Sequence, residues 1–292
     1  MKILLVNDYS FPGGGAEVSL LHLRELLRRL GHDARLFSTG VREGALAPEA
    51  DYLCFGTSGP FRTLLQTANP WAARDLRGVV NEFRPDVIHV KMFLTQLSPL
   101  IMPVLRETPS LYYVAWYRPI CPTGSKLLPG GEICRQPPGW VCHRSGCLPM
   151  RDWIPLMAQM RMFRRNLDCF RMIVANSHAT RRRLEAEGIS PVAVLYYGFL
   201  QRVARRPLSD PPVVGFAGRL VREKGADVLV RAFASLTGEF PQAGLWIAGD
   251  GPERAPLARL VSDLGIAGKV RFFGHLRRDE VESLFDSVWV QV

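Results

Sequence analysis

Residues 213–230 read VVGFAGRLVREKGADVLV. An apolar run of strand length ends in glycine, Arg219 follows at once, and Lys224 and a glycine then open a stretch with helical spacing. In an open α/β sheet the carboxyl rim of a strand is where ligands bind, and a helix N-terminus at that rim favours anions such as phosphate. A planar guanidinium fork and a compact ammonium placed five residues apart suit a diphosphate; ordinary solvated cations on a basic chain are the competing reading.

The same strand–turn–helix unit repeats in both directions from this segment. Upstream, KILLV leads through GGGAE into EVSLLHLRELLRRLG, where Leu20, Leu23, Leu27 and Leu30 recur at helical spacing and Gly31 is a stop signal. Then come ARLF, a helix over 71–83, DVIHV (86–90), a helix near 98–106, SLYYVAW (110–116), a helix over 152–170, MIVANS (172–177), a helix over 178–187 and VAVLYYG (192–198). Downstream the pattern gives a helix over 224–238, GLWIAG, a helix over 252–264, KVRFFG, a helix over 278–286 and VWVQV. Continuous apolar strands separated by helices predict mostly parallel sheets covered on both faces. Between the two series, LQRVARRPLSDPP (200–212) carries three prolines and no periodicity, as an interdomain linker would. The expected fold is therefore α/β: two tandem Rossmann-like, doubly wound domains, over 1–200 with a Cys-containing loop at 117–150 and over 213–292, joined by a linker at 201–212. The second series reads as a partial domain.

Composition and motifs narrow the chemistry. With 292 residues, 47% of them hydrophobic, the chain supports about two domains with real cores. No run of about 18 apolar residues exists, and Asp8 and Gly13–Gly15 interrupt the N-terminal apolar run before a secretory segment forms. The expected compartment is the cytosol, with the six cysteines reduced. A formal net charge of +10 points to an anionic partner. Val18 stands where a dinucleotide fingerprint needs its third glycine, and no acidic residue closes ARLFSTG, so NAD is not expected. A phosphate-binding G-x-x-x-x-G-K-[ST] run and a G-x-S-x-G nucleophile turn are both missing. The arginines are dispersed over helices without a recognition motif, so nucleic acid is not expected as a partner.

Taken together, FAGRLVREKGADVLVRAF, LWIAGDGPER and VRFFGHL closely resemble the donor half of family 4 glycosyltransferases of the GT-B fold, and GGGAEVSLLHL, RPDVIHVKMFLTQLSPL and IVANSHATRRRLEAEGI resemble its acceptor half. The resemblance implies an enzyme that moves a sugar from a nucleotide-diphosphate sugar to the hydroxyl of a glycan or lipid-linked acceptor, with retention of anomeric configuration, in polysaccharide or glycolipid synthesis. It assigns the donor diphosphate to Arg219 and Lys224, and places Gly218, Gly249, Gly251 and the segment from Phe273 to Leu276 in the donor-site loops. Gly14 and Gly15 would form the loop facing the reaction centre. No D-x-D triplet occurs, so no catalytic divalent metal or other cofactor is expected; protein cations would stabilise the departing diphosphate.

Two departures from the family pattern bear on activity. Many relatives carry a His six residues before the CP pair, where VAWYRPICP has Ala115. The family's pair of glutamates, seven residues apart, would follow a strand like VWVQV, which ends this sequence. The resemblance is thus to a C-terminally truncated member, and the competing function is a non-catalytic or split-enzyme chain that binds nucleotide diphosphate or a partner.

Two further segments invite specific readings. Cys121, Cys134, Cys142 and Cys147 fall within one Gly- and Pro-rich loop; a structural zinc on four thiolates, with His143 as a competing ligand, is set against unliganded thiols. RDWIPLMAQMRMFRRNLDCFRM (151–172) mixes aromatic and apolar residues with arginines. It reads either as a helix lying on the inner, anionic face of a membrane or as a domain helix with its stripe in the core.

Overall fold

The computed structural model describes residues 1–42, 47–198 and 207–292. The chain divides into two compact units, Met1–Gly198 and Phe199–Val292. Residues 201–206 of the expected linker lie outside the described residues.

Among its described residues the first unit holds seven strands: β1 (Lys2–Asn7), β2 (Asp33–Thr39), β3 (Tyr52–Cys54), β4 (Val87–Met92), β5 (Ser110–Val114), β6 (Met172–Ala175) and β7 (Val192–Val194). Its helices are α1 (Gly15–Arg29), α2 (Arg62–Thr67), α3 (Pro70–Phe83), α4 (Met102–Leu105), α5 (Val141–Arg144), α6 (Met150–Arg165) and α7 (His178–Ala186). The strands form one parallel sheet in the order β3-β2-β1-β4-β5-β6-β7. Alternation along β1 shows why both faces are covered: Leu4 and Val6 join the large core with Phe37, Ile88, Val90 and Tyr112, while Ile3 and Leu5 pack with Leu20 of α1 on the other side.

The second unit has β8 (Val213–Ala217), β9 (Gly244–Ala248), β10 (Val270–Gly274) and β11 (Val290–Gln291), with α8 (Ala226–Leu236), α9 (Arg254–Asp263) and α10 (Arg278–Ser287). Its parallel sheet runs β10-β9-β8-β11. Phe216, Leu245 and Ile247 pack under α8 and α9, and Val213 and Ala248 pack with Leu284 and Val288 on the opposite face.

In each sheet the strand order reverses once, between β1 and β4 and between β8 and β11. Ligands of open α/β sheets bind outside the carboxyl ends of the strands at such switch points. The loop with Gly13–Gly15 leaves β1, and the turn with Arg219 and Lys224 leaves β8, so each glycine-bearing turn begins at the switch point of its own unit.

The 150–165 segment resolves as the domain helix. Leu156, Met160 and Phe163 of α6 are buried, and so is Gln159, whose side chain donates to the Leu94 carbonyl oxygen and accepts from Arg118. Part of the apolar stripe thus packs into the core, while Ile154 and the arginines of this helix face solvent.

Candidate functional site

Arg219 and Lys224 sit on a turn built from three loops laced together by backbone bonds. Gly218 N–H donates to the Ala248 carbonyl oxygen (3.0 Å), Leu220 N–H to Asp250 (2.8 Å), Glu253 N–H back to Leu220 (3.0 Å) and Gly249 N–H to Gly274 (2.6 Å). The ends of β8, β9 and β10 are thereby joined into one rim. Glycine is required where the loops touch. Gly249 has φ +133° and Gly251 φ +151°, and a Cβ on either would overlap the carbonyl oxygen of Gly218 or Leu220.

The turn then differs in detail from the expected helix start. Arg222–Lys224 form a single 3₁₀ turn, Gly225 takes a left-handed conformation (φ +65°), and α8 begins only at Ala226. Lys224 therefore precedes the helix, and Gly225 caps it without a side chain that could compete for the N-terminal N–H groups. Both Arg219 and Lys224 are exposed. Among the described residues neither side chain has a hydrogen-bond or ion-pair partner, so both are available to an anion. Phe273 and Leu276 are packed rather than free: they join Val213, Ala248 and Leu284, and the Phe273 ring lies edge-on to Trp246 with Arg271 over it at 4.6 Å.

In the first unit Gly14 caps α1 in an extended conformation, with no side-chain cap, and Gly15 opens the helix with open space where a Cβ would be. Behind this turn lies a residue that sequence reading passed over. Lys91, only 3% exposed, reaches from β4 to donate to the Ala16 carbonyl oxygen (2.9 Å) and to the Ser19 hydroxyl. Its ammonium also lies 4.9 Å from the Tyr197 ring and 5.7 Å from that of Tyr113. Burial pulls its pKa down to about 8, with Glu17 opposing. The available signal was a lysine at the end of a mostly apolar strand, two residues after His89. Asp8, fully buried at the end of β1, was likewise not anticipated. Its carboxylate accepts from the N–H groups of Thr95, Gln96 and Leu97 (2.8–2.9 Å) and from the Thr95 hydroxyl (2.6 Å), fixing the chain beyond β4. Burial raises its pKa despite these bonds. Ala115 follows β5 directly and is partly exposed.

The cysteine loop is the segment for which zinc and unliganded thiols are the competing readings. Cys121, Cys134, Cys142 and Cys147 are free thiols near enough to influence one another's ionisation. Yet no group of three or more His, Cys, Asp or Glu side chains among the described residues is arranged to hold a metal ion. Burial pushes the Cys142 and Cys147 thiols up, against the thiolate that zinc requires, and His143 Nδ1 faces the Leu148 carbonyl oxygen at 3.0 Å. What holds the loop is a buried ion pair between Lys126 and Glu187 (2.5 Å).

Residues 13–199 match the family model described as Glycosyltransferase Family 4, and residues 200–292 match Glycosyl transferases group 1. The chain belongs to glycosyltransferase family 4. Among curated relatives of this family 4 chain, the lipopolysaccharide core biosynthesis glycosyltransferase LpsE of Rhizobium meliloti is 47% identical over 66 residues, 23% of this chain and 18% of that protein. A GDP-mannose-dependent phosphatidylinositol monomannoside mannosyltransferase of Mycolicibacterium smegmatis is 42% identical over 77 residues, 26% of this chain and 20% of its own. These matches span about a fifth of each relative. Among solved structures, sucrose-phosphate synthase of Thermosynechococcus elongatus superposes with a TM-score of 0.70 at 17% identity, covering 100% of this chain and 74% of that one. WaaG, a glycosyltransferase involved in lipopolysaccharide biosynthesis, gives 0.59 at 14% identity, with 100% and 74% covered. The fold is GT-B.

Proposed function

We propose that this chain transfers a sugar from a nucleotide-diphosphate sugar to an acceptor hydroxyl, with Arg219 and Lys224 holding the donor diphosphate. The observation that carries this reading is the pair of cations, without side-chain partners among the described residues, on the laced rim at the β8 switch point. As the glycosidic bond to the donor breaks, negative charge collects on the departing diphosphate. A fixed guanidinium and ammonium stabilise that charge more than they stabilise the intact donor, which lowers the barrier. Retention of anomeric configuration follows the family. The names of LpsE and of the phosphatidylinositol monomannoside enzyme favour a glycan or lipid-linked acceptor.

Titration calorimetry with UDP, GDP and ADP tests the donor site. Each charge-assisted bond contributes about 1.5–3 kcal/mol, so Lys224→Ala is expected to weaken the preferred diphosphate by about tenfold to a hundredfold. Unchanged affinity would remove Lys224 from the site. Ala115 favours a second reading, a chain that binds the diphosphate without turning over. Tight binding combined with no sugar release from any nucleotide sugar would select it.

A further inference from the structure

We propose that Lys91 is a positioning residue for sugar transfer: it fixes the glycine turn at the start of α1 against the segment that ends the first unit. Three consecutive glycines, Gly13–Gly15, give that turn wide backbone freedom, and Gly14 caps α1 with no side-chain bond. α1 joins the core at Leu20, Leu21, Leu23 and Leu27, beyond its first turn. The first turn is tied instead by Lys91 of β4, whose buried ammonium donates to the Ala16 carbonyl oxygen (2.9 Å) and to the Ser19 hydroxyl, while Ser19 donates to the same carbonyl (2.9 Å). The same ammonium lies 4.9 Å from the Tyr197 ring. The rings of Tyr197 and Tyr113 are 5.3 Å apart, and the Tyr113 hydroxyl donates to the Leu195 carbonyl oxygen (2.8 Å). One cation thus joins α1, β4, β5 and the run 195–198 that closes the first unit.

The chemistry points to a geometric task. An apolar side chain would serve packing at this strand position without the desolvation cost that a buried ammonium carries. The ammonium's bonds, by contrast, are directional, and they fix how the first turn of α1 is set on the sheet. The groups that face Lys91 are Glu17 of α1, His89 on its own strand, Tyr113 of β5 and Tyr197. Burial holds His89 neutral, with its pKa pulled down to about 4, and pushes both tyrosines up. Of His89, Lys91 and the two tyrosines, it is therefore Lys91 that changes charge near pH 8. Losing that proton removes the burial cost but weakens the bonds to Ala16 and Ser19, so stability and positioning respond to pH in opposite directions. A residue that only stabilised the fold would move both together. The consequence for turnover rests on the transferase reading, whereas the tie between α1 and residues 195–198 stands without it.

Hydrogen–deuterium exchange and kinetics on the unmodified chain and on Lys91→Met test it. The amides of Val18–Leu20, where the Val18 N–H donates to the Gly14 carbonyl oxygen (3.0 Å), should exchange about tenfold faster in the variant at pH 7. Corrected for intrinsic rates, the unmodified chain should approach the variant by pH 9. Ser19→Ala removes one partner and leaves Lys91 in place; it should loosen the same amides, and it carries the test if Lys91→Met does not fold. With UDP-glucose and GDP-mannose as donors, kcat for sugar release should fall about tenfold in Lys91→Met with the donor KM unchanged, and its decline above pH 8 should be lost. Equal exchange at Val18–Leu20 in the unmodified chain and in both variants would overturn the proposal. Faster exchange with an unchanged kcat and pH profile would overturn the role in transfer. An unmodified chain that binds diphosphate but releases no sugar would overturn the transferase reading and that role with it, and exchange would still decide the tie.

Discussion

At the scale of single residues, the glycines of the two rims do different work, and substitution separates them. Gly249 combines φ +133° with a Cβ position already taken by the Gly218 carbonyl oxygen. Gly249→Ala must push apart two loops that are bonded on both sides, and it is expected to cost about 2–4 kcal/mol, read by urea unfolding. Gly15 has ordinary backbone geometry and open space around its Cβ direction. Gly15→Ala at the start of α1 is expected to leave stability unchanged or raise it by about 0.5–1 kcal/mol. If Gly15→Ala nevertheless abolishes sugar transfer, the missing side chain serves the ligand and not the fold. A loss of stability comparable to that at Gly249 would show the opposite. The family resemblance singled out both glycines but could not distinguish them, because the distinction depends on which backbone atoms approach from other loops.

At the scale of elements, the strands were legible because a parallel sheet covered on both faces demands continuous apolar runs, and KILLV, DVIHV and VVGFA supply them. β3 and α2 were not. Three residues in one case and six in the other are too short to show a period. The start of α8 was displaced for a related reason: helical spacing continues through Lys224, but Gly225 in the left-handed region interrupts it. Lys91 shows what patterning cannot reveal, since it joins β4 to the first turn of α1 and to two tyrosine rings. Its burial has a measurable consequence. The folded chain releases the proton near pH 8, whereas the unfolded chain keeps it to the ordinary lysine value of 10.5. The unfolded state therefore binds more protons in that window, and folding stability rises with pH across it. Lys91→Met lacks this contribution, so the stability of the unmodified chain relative to the variant should grow from pH 8 to pH 10, by up to about 3 kcal/mol. A difference that stays flat across those pH values would mean that Lys91 titrates as an exposed lysine.

At the scale of the whole molecule, a net charge of +10 raises the question of which charges serve the ligand. Many arginines are committed elsewhere: Arg24 and Arg28 hold Asp51, Arg106 holds Asp168, Arg164 holds Glu187, and Arg181 holds Glu185. Arg219 and Lys224 have no such commitment among the described residues. Because both are exposed, their attraction for a diphosphate acts through water and is open to screening, with a Debye length of about 10 Å at 0.1 M salt and about 3 Å at 1 M. Nucleotide-diphosphate affinity should therefore fall as salt rises, and Lys224→Ala should both lower the affinity and flatten its dependence on salt. The second effect is the more telling. A diffuse field from the whole basic surface would leave the slope of the variant unchanged, because removing one charge among 37 Lys and Arg barely alters the total. A local contact would lose much of its slope with that one ammonium. Calorimetry at 50 and 500 mM salt on the unmodified chain and on Lys224→Ala, analysed as a double-difference cycle, therefore separates a built diphosphate site from general basicity.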